Sequence, residues 1–141
     1  MTFDTLGELN WLAVIVAAIA YFVLGSIWYA PPVLGRAWIE SSGIQMPEGQ
    51  RPSPAIYLSP LLTCFVAAVA TGMLVVGTRS NELTEGIQLG VVLGVGYALS
   101  ITILGGIFET GKPKPMVSAL ISGGYHLVGL LITAMIIAAW D

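Results

Sequence analysis

Four stretches without a charged side chain, Trp11 to Ala30, Ala55 to Thr78, Gly86 to Phe108 and Pro115 to Trp140, occupy two thirds of this 141-residue chain. Its five Lys or Arg and eight Asp or Glu all lie outside them. A helix rises about 1.5 Å per residue and a bilayer's hydrocarbon core is about 30 Å thick, so roughly 20 apolar residues cross it. Each stretch has that length. Backbone N–H and C=O groups find no water there and must close their own hydrogen bonds, and the lack of strict polar/apolar alternation excludes a barrel. With 56% hydrophobic and 9% charged residues, the chain is neither a soluble enzyme, a nucleic-acid binder nor a disordered tail. Helices buried in a soluble core would need polar helices around them, and the sequence has none.

The expected fold is an all-α membrane protein, a four-transmembrane-helix bundle forming one domain, with spans near 6–30, 60–78, 84–108 and 115–140. Helix-end chemistry sets these bounds. Thr5 with Glu8 makes a capping-box pattern that starts the first helix near Leu6, and Pro31 and Pro32 stop it. Ser59 before Pro60 suits an N-cap and first helical position, with Ala55 to Leu58 extended. Glu82 and Glu85 fit the first turn of the third helix, where the positive end of the macrodipole favours carboxylates, and Pro115 opens the fourth. Asp4 and Glu8, with no Lys or Arg beside them, are the reverse of a secretory signal's basic start, so the first stretch is expected to remain as a span. The lone Cys64 permits no internal disulfide and reads as small packing material.

Lys and Arg are retained on the cytoplasmic side. The connections 31–54 and 109–114 carry Arg36, Arg51, Lys112 and Lys114, and the opposite face carries only Arg79, which puts both termini outside a bacterial inner membrane. Within the long loop, Val33, Leu34, Ala37 and Trp38 recur at helical spacing and predict an interfacial helix over 33–41, with Trp38 at headgroup depth. From Ser41 to Pro54, with Pro47 and Pro52, a mobile connector is expected.

Leu24-Gly25-Ser26-Ile27-Trp28 and Leu104-Gly105-Gly106-Ile107-Phe108 end the first and third helices alike, a pattern a parallel repeat would give and that chance can also produce in Gly-rich helices. Membrane helices associate through small residues. Gly86, Gly90 and Gly94 recur at four-residue intervals, as do Cys64, Ala68 and Gly72, while Ser118, Ser122, His126, Gly129 and Thr133 form a stripe on the fourth helix that should face the bundle or a partner chain.

His126 lies about eleven residues, or roughly 16 Å, into the fourth helix, near the bilayer midplane, where ionisable groups seldom sit idly. Reflection through the last hairpin puts Tyr97 to Ser100 at that depth, predicting a hydrogen bond from His126 to Tyr97 or Ser100. The ring is then either a neutral packing histidine or a proton relay, a substrate contact, or a ligand to haem or pigment. Glu109 reads as a loop carboxylate near Lys112 and Lys114, too far from His126 to pair. Trp28, Tyr29, Trp11 and Trp140 read as aromatic-belt anchors, and Asn10 as a capping residue. One His and one Cys make no zinc site, no intramembrane carboxylate pair or Ser-His-Asp set can be assembled, and no phosphate loop is present, so no catalytic residues, metal or cofactor are predicted.

Asn10-Trp11-Leu12-Ala13, the run from Leu24-Gly25 to Trp28-Tyr29 with its following proline, Gly35 to Trp38, Phe108-Glu109 and Gly124-Tyr125-His126-Leu127 together resemble the DUF1761 family of small bacterial membrane proteins. The resemblance covers nearly the whole chain. It implies four membrane helices and no known activity, and it directs attention to Trp28, Tyr29, Glu109, Tyr125 and His126. The expected function is a non-catalytic membrane subunit, either a homo-oligomer or an accessory chain among other membrane subunits. The alternative is a small transporter or channel using His126 and the fourth helix's polar stripe.

Overall fold

The computed structural model describes residues 3–45 and 53–140. A 3-10 turn, Phe3–Glu8, leads to α1, Trp11–Trp28. A π turn, Pro31–Gly35, runs into the short α2, Arg36–Ser42. Then follow α3, Ala55–Thr78, α4, Leu83–Phe108, and α5, Pro115–Ala139. Among the described residues there is no strand, and α1, α3, α4 and α5 are each long and apolar enough to cross a membrane. Arg51, Pro47 and Pro52 lie outside the described residues.

Three features differ from expectation. α1 begins at Trp11 rather than Leu6, because Asn10 is the stronger cap: its Oδ1 accepts the Ala13 N–H at 3.2 Å. Its amide also donates to the Trp140 carbonyl at 3.5 Å, tying the two ends of the chain. Pro60 is not the start of α3 but lies inside it. Proline removes one donor, yet leaving Ala55 to Leu58 extended in an apolar medium would strand many more backbone groups. Third, α4 is not uniform: a π segment, Gly94–Leu99, interrupts its middle. The helix expected over 33–41 is found as α2, Arg36–Ser42, entered through the π turn Pro31–Gly35. Glu82 is the N-cap of α4, with its N–H donated to Glu85 at 3.2 Å, and Pro115 opens α5.

α5 is the hub, packing against α1, α2, α3 and α4, while α4 rests on α5. One core cluster joins Ala13, Val14, Ala17 and Ala18 of α1 to Ala68 and Val75 of α3 and to Ile137 and Ala138 of α5. Alanine lets these backbones approach closely. The glycines of α4 do the same on the other side of α5. A Cβ on Gly90 would meet the Leu131 Cα at 2.7 Å, one on Gly86 the Ala138 Cβ at 2.7 Å, and one on Gly94 the Leu127 Cα at 3.0 Å. Cys64, Ala68 and Gly72 likewise face the interior. The small-residue stripes therefore seat contacts within one chain.

Four residues overshoot an α-helical turn by about 40°, so a strict four-residue repeat would drift off the α5 face within a few turns. The π segment widens one turn and cancels part of that drift. Below it Thr102 and Leu99 crowd Gly123, and Gly106 packs on Ala119 with a would-be Cβ contact of 2.6 Å.

α2 is latched onto the start of α5. Lys114 pairs with Glu40 at 2.6 Å, its N–H donates to the Ser41 carbonyl, and Ser42 and Ser118 share a hydroxyl bond of 2.9 Å. Gly43, in the left-handed region at φ 70°, turns the chain away where a Cβ would press on Pro113. The Lys114 ammonium holds the Glu40 carboxyl below its usual range. That pairing is complete above the ordinary carboxylate range and is lost as pH falls through the lowered value.

Substituting Gly90→Ala should destabilise the protein by about 1–3 kcal/mol, since backbone cannot yield as a side chain does. Gly105→Ala, where a Cβ meets nothing within 4 Å, should be neutral. Reversible unfolding in mixed micelles compares the two.

Candidate functional site

The second core cluster is built from Tyr21, Cys64 and Tyr125, with Phe22, Trp28 and Tyr29 packed around it. His126 joins it through a 2.6 Å hydrogen bond between Nδ1 and the Tyr21 hydroxyl. Tyr21 lies about ten residues, or roughly 15 Å, into α1, and so at the depth of His126 in the antiparallel α5. A glycine makes this meeting possible: Tyr21 lies where any Cβ on Gly129 would fall inside its ring. Gly129 stands one turn beyond Tyr125 on the same face of α5.

The aromatic rings interlock. Tyr21 and Tyr125 have centroids 5.2 Å apart, Tyr29 meets Tyr125 edge-on at 5.3 Å, and Trp38 of α2 meets Tyr29 at 5.1 Å. The Tyr125 hydroxyl donates to the Tyr21 backbone carbonyl at 3.4 Å and lies 3.5 Å from Cys64 Sγ. Gly25 leaves room for it, since a Cβ there would stand 2.9 Å from that hydroxyl. Trp28 donates its indole N–H to the Ile121 carbonyl at 3.0 Å and lies over Gly124. The Tyr29 side chain interacts with Ser122.

Beside this cluster lies a cavity of about 390 Å³, bounded by Tyr21 of α1, Pro60, Thr63, Cys64 and Ala67 of α3, and Tyr125 and His126 of α5. Its outer rim, from Ser59 to Thr63, is exposed, as is every residue of α3 from Ala55 to Thr63.

The structure brings together His126, Tyr125, Ser122, Trp28 and Tyr29 and sets the other predicted residues apart. Tyr97 and Ser100 do not bond His126. Tyr97 is 63% exposed on the far side of α4, and the Ser100 hydroxyl donates to the Gly96 carbonyl of its own helix at 2.6 Å. The expectation rested on depth alone. The contacts of α4 with α5 run through Gly94, Leu99 and Thr102, which turns Tyr97 outward. Glu109 is an exposed loop carboxylate paired with Lys112 at 2.6 Å. Trp28 and Tyr29 serve as interior contacts rather than free anchors, whereas Trp11 and Trp140 are exposed near the chain ends. The polar stripe of α5 faces the bundle: Ser118 and Thr133 are buried, and Thr133 donates to the Gly129 carbonyl at 2.8 Å. Sequence reasoning missed Tyr21, although it is the one tyrosine of α1's interior at the depth of His126. The two five-residue motifs share no surroundings: Gly25 abuts Tyr125 while Gly105 faces open space, and Trp28 is bonded where Phe108 is 75% exposed.

Four helices are long and apolar enough to cross a membrane, and three of them, α1, α3 and α5, build an aromatic and histidine cluster. Residues 12–138 match the family described as protein of unknown function (DUF1761), and the chain belongs to that family. No curated protein and no solved structure matches it.

A net intramolecular hydrogen bond is worth about 1 kcal/mol. The double-mutant cycle of Tyr21→Phe and His126→Ala should give a coupling of about that size in unfolding free energy, while Tyr97→Phe with His126→Ala should be additive.

Proposed function

We propose that this is a non-catalytic, multi-pass protein of the bacterial inner membrane that works by assembling with other membrane chains, as a homo-oligomer or as an accessory subunit. The observation that carries the reading is Tyr97. It lies within a turn of the middle of the 26-residue α4, is 63% exposed, and its hydroxyl has no hydrogen-bond partner among the described residues. A phenol there is too short to reach either headgroup layer, which lies about 15 Å away. Leaving a hydroxyl unbonded in hydrocarbon costs about 4–8 kcal/mol, and a hydrogen bond to a second helix recovers part of it. Gly96, with nothing within 4 Å of a would-be Cβ, and Ser100 one turn on leave a notch beside Tyr97 for that helix.

With four of the five basic residues in the loops 31–54 and 109–114, both termini face outward. In a Cys64→Ala background, Asn81→Cys should react with a membrane-impermeant maleimide on intact cells, and Gly111→Cys only after the membrane is opened.

In mild detergent the native chain should elute as a multimer or with a co-purifying polypeptide. Gly96→Leu should abolish that assembly and Tyr97→Phe should weaken it about tenfold, both without loss of fold. A lone monomer of the native chain, measured by light scattering, overturns the reading.

The cavity beside His126 favours a second reading, a small transporter or channel. Its polar stripe is engaged within the bundle, so a path would have to run through the cavity. Proteoliposome flux that disappears in His126→Ala would support it.

A further inference from the structure

The hydrogen bond between Tyr21 and His126 has a direction. Tyr21 is 3% exposed, and its hydroxyl proton has no acceptor among the described residues other than His126 Nδ1. A buried O–H must find an acceptor, and the unprotonated imidazole nitrogen is the one within reach. Tyr21 therefore donates, Nδ1 accepts, and in the neutral ring the proton sits on Nε2. No acceptor for Nε2–H is present among the described residues. Every fully buried side-chain N or O atom there has a partner, so Nε2 is accessible, on a ring that forms part of the cavity wall.

The other polar groups of that wall leave Nε2–H as its free donor. Ser59 donates to the Ala55 carbonyl at 2.5 Å and Thr63 to the Pro60 carbonyl at 2.9 Å. The Tyr125 hydroxyl is turned to the Tyr21 carbonyl. No Lys or Arg lies in any of the four long helices, so an anion entering here would be desolvated without a countercharge, which costs far more than one hydrogen bond returns. At about 390 Å³ the cavity falls within the range of roughly 300–1,000 Å³ that small-molecule sites occupy.

We propose that this cavity binds an uncharged lipophile through a carbonyl oxygen that accepts a hydrogen bond from His126 Nε2. The ligand enters sideways from the hydrocarbon past the exposed first turns of α3. An ester of a membrane lipid and the ring carbonyl of a membrane quinone share this chemistry. The proposal requires neither assembly nor transport, and it holds or fails independently of both.

His126 is the chain's sole histidine, so imidazole ¹⁵N labelling of the full-length protein gives one ring to observe. In micelles of a detergent without carbonyl groups, Nδ1 should be unprotonated and Nε2 protonated. Decylubiquinone and monoolein are then titrated in separate arms. A saturable shift at Nε2 with decylubiquinone alone identifies a quinone carbonyl, with monoolein alone an acyl ester, and with both a general carbonyl site. Tyr21→Phe, which keeps the imidazole but releases its tautomer, should weaken the saturable shift severalfold, and where decylubiquinone binds, His126→Leu should weaken its quenching of tryptophan fluorescence about tenfold. A proton on Nδ1 in the free protein, or an Nε2 signal unmoved in both arms, overturns the proposal.

Discussion

The site depends on the close approach of Tyr21 to Gly129. Only a residue without a side chain lets the Tyr21 ring lie against the backbone of α5. From there its hydroxyl meets His126 one turn away and its backbone carbonyl receives Tyr125. A tyrosine held farther from α5 would lose both contacts and leave a phenol and an imidazole without partners in an apolar medium. The same device recurs on the other flank, where Gly86, Gly90 and Gly94 of α4 lie on Ala138, Leu131 and Leu127. α5 is thus gripped from two sides through backbone contacts, with dispersion forces in place of the hydrophobic drive that lipid does not supply.

The interior divides along the helix axes. Toward the chain ends α1, α3 and α5 meet through alanine and valine, with Asn10 reaching Trp140. Toward the end where Glu40 meets Lys114, tyrosines, Trp28 and Trp38 fill the space. The Trp28 indole, the Tyr21 and Tyr125 phenols and the Cys64 thiol find partners in neighbouring helices, whereas the hydroxyls of Ser59, Thr63, Thr71, Ser100 and Thr133 fold back on carbonyls of their own helix. His126 Nε2 is not engaged in this way, and the cavity beside it is the natural consequence of the exposed, loosely covered start of α3.

Much was legible in the residues. The uncharged stretches fix four helices, because an apolar medium forbids any other way of satisfying so much backbone. Asn10, Glu82 with Glu85, and Pro115 act as helix-end chemistry predicts, and His126 is conspicuous as the chain's sole histidine, set far from any loop. Less legible were Thr5 with Glu8, outcompeted by Asn10, and Ser59 with Pro60. The latter reads as a helix start by the rules of aqueous helices, but unpaired carbonyls of extended chain outweigh one missing donor when water is absent.

The sequence by itself determined where along each helix a residue stands, since depth follows from a constant rise. It did not determine which way that residue faces. Azimuth accumulates at about 100° per residue, so a single widened turn, such as Gly94–Leu99, redirects everything near it. Tyr97 and Tyr21 stand at equal depth with respect to His126. The tertiary packing chose between them, because the glycine beneath Tyr21 admits its ring and the winding of α4 carries Tyr97 to the opposite face.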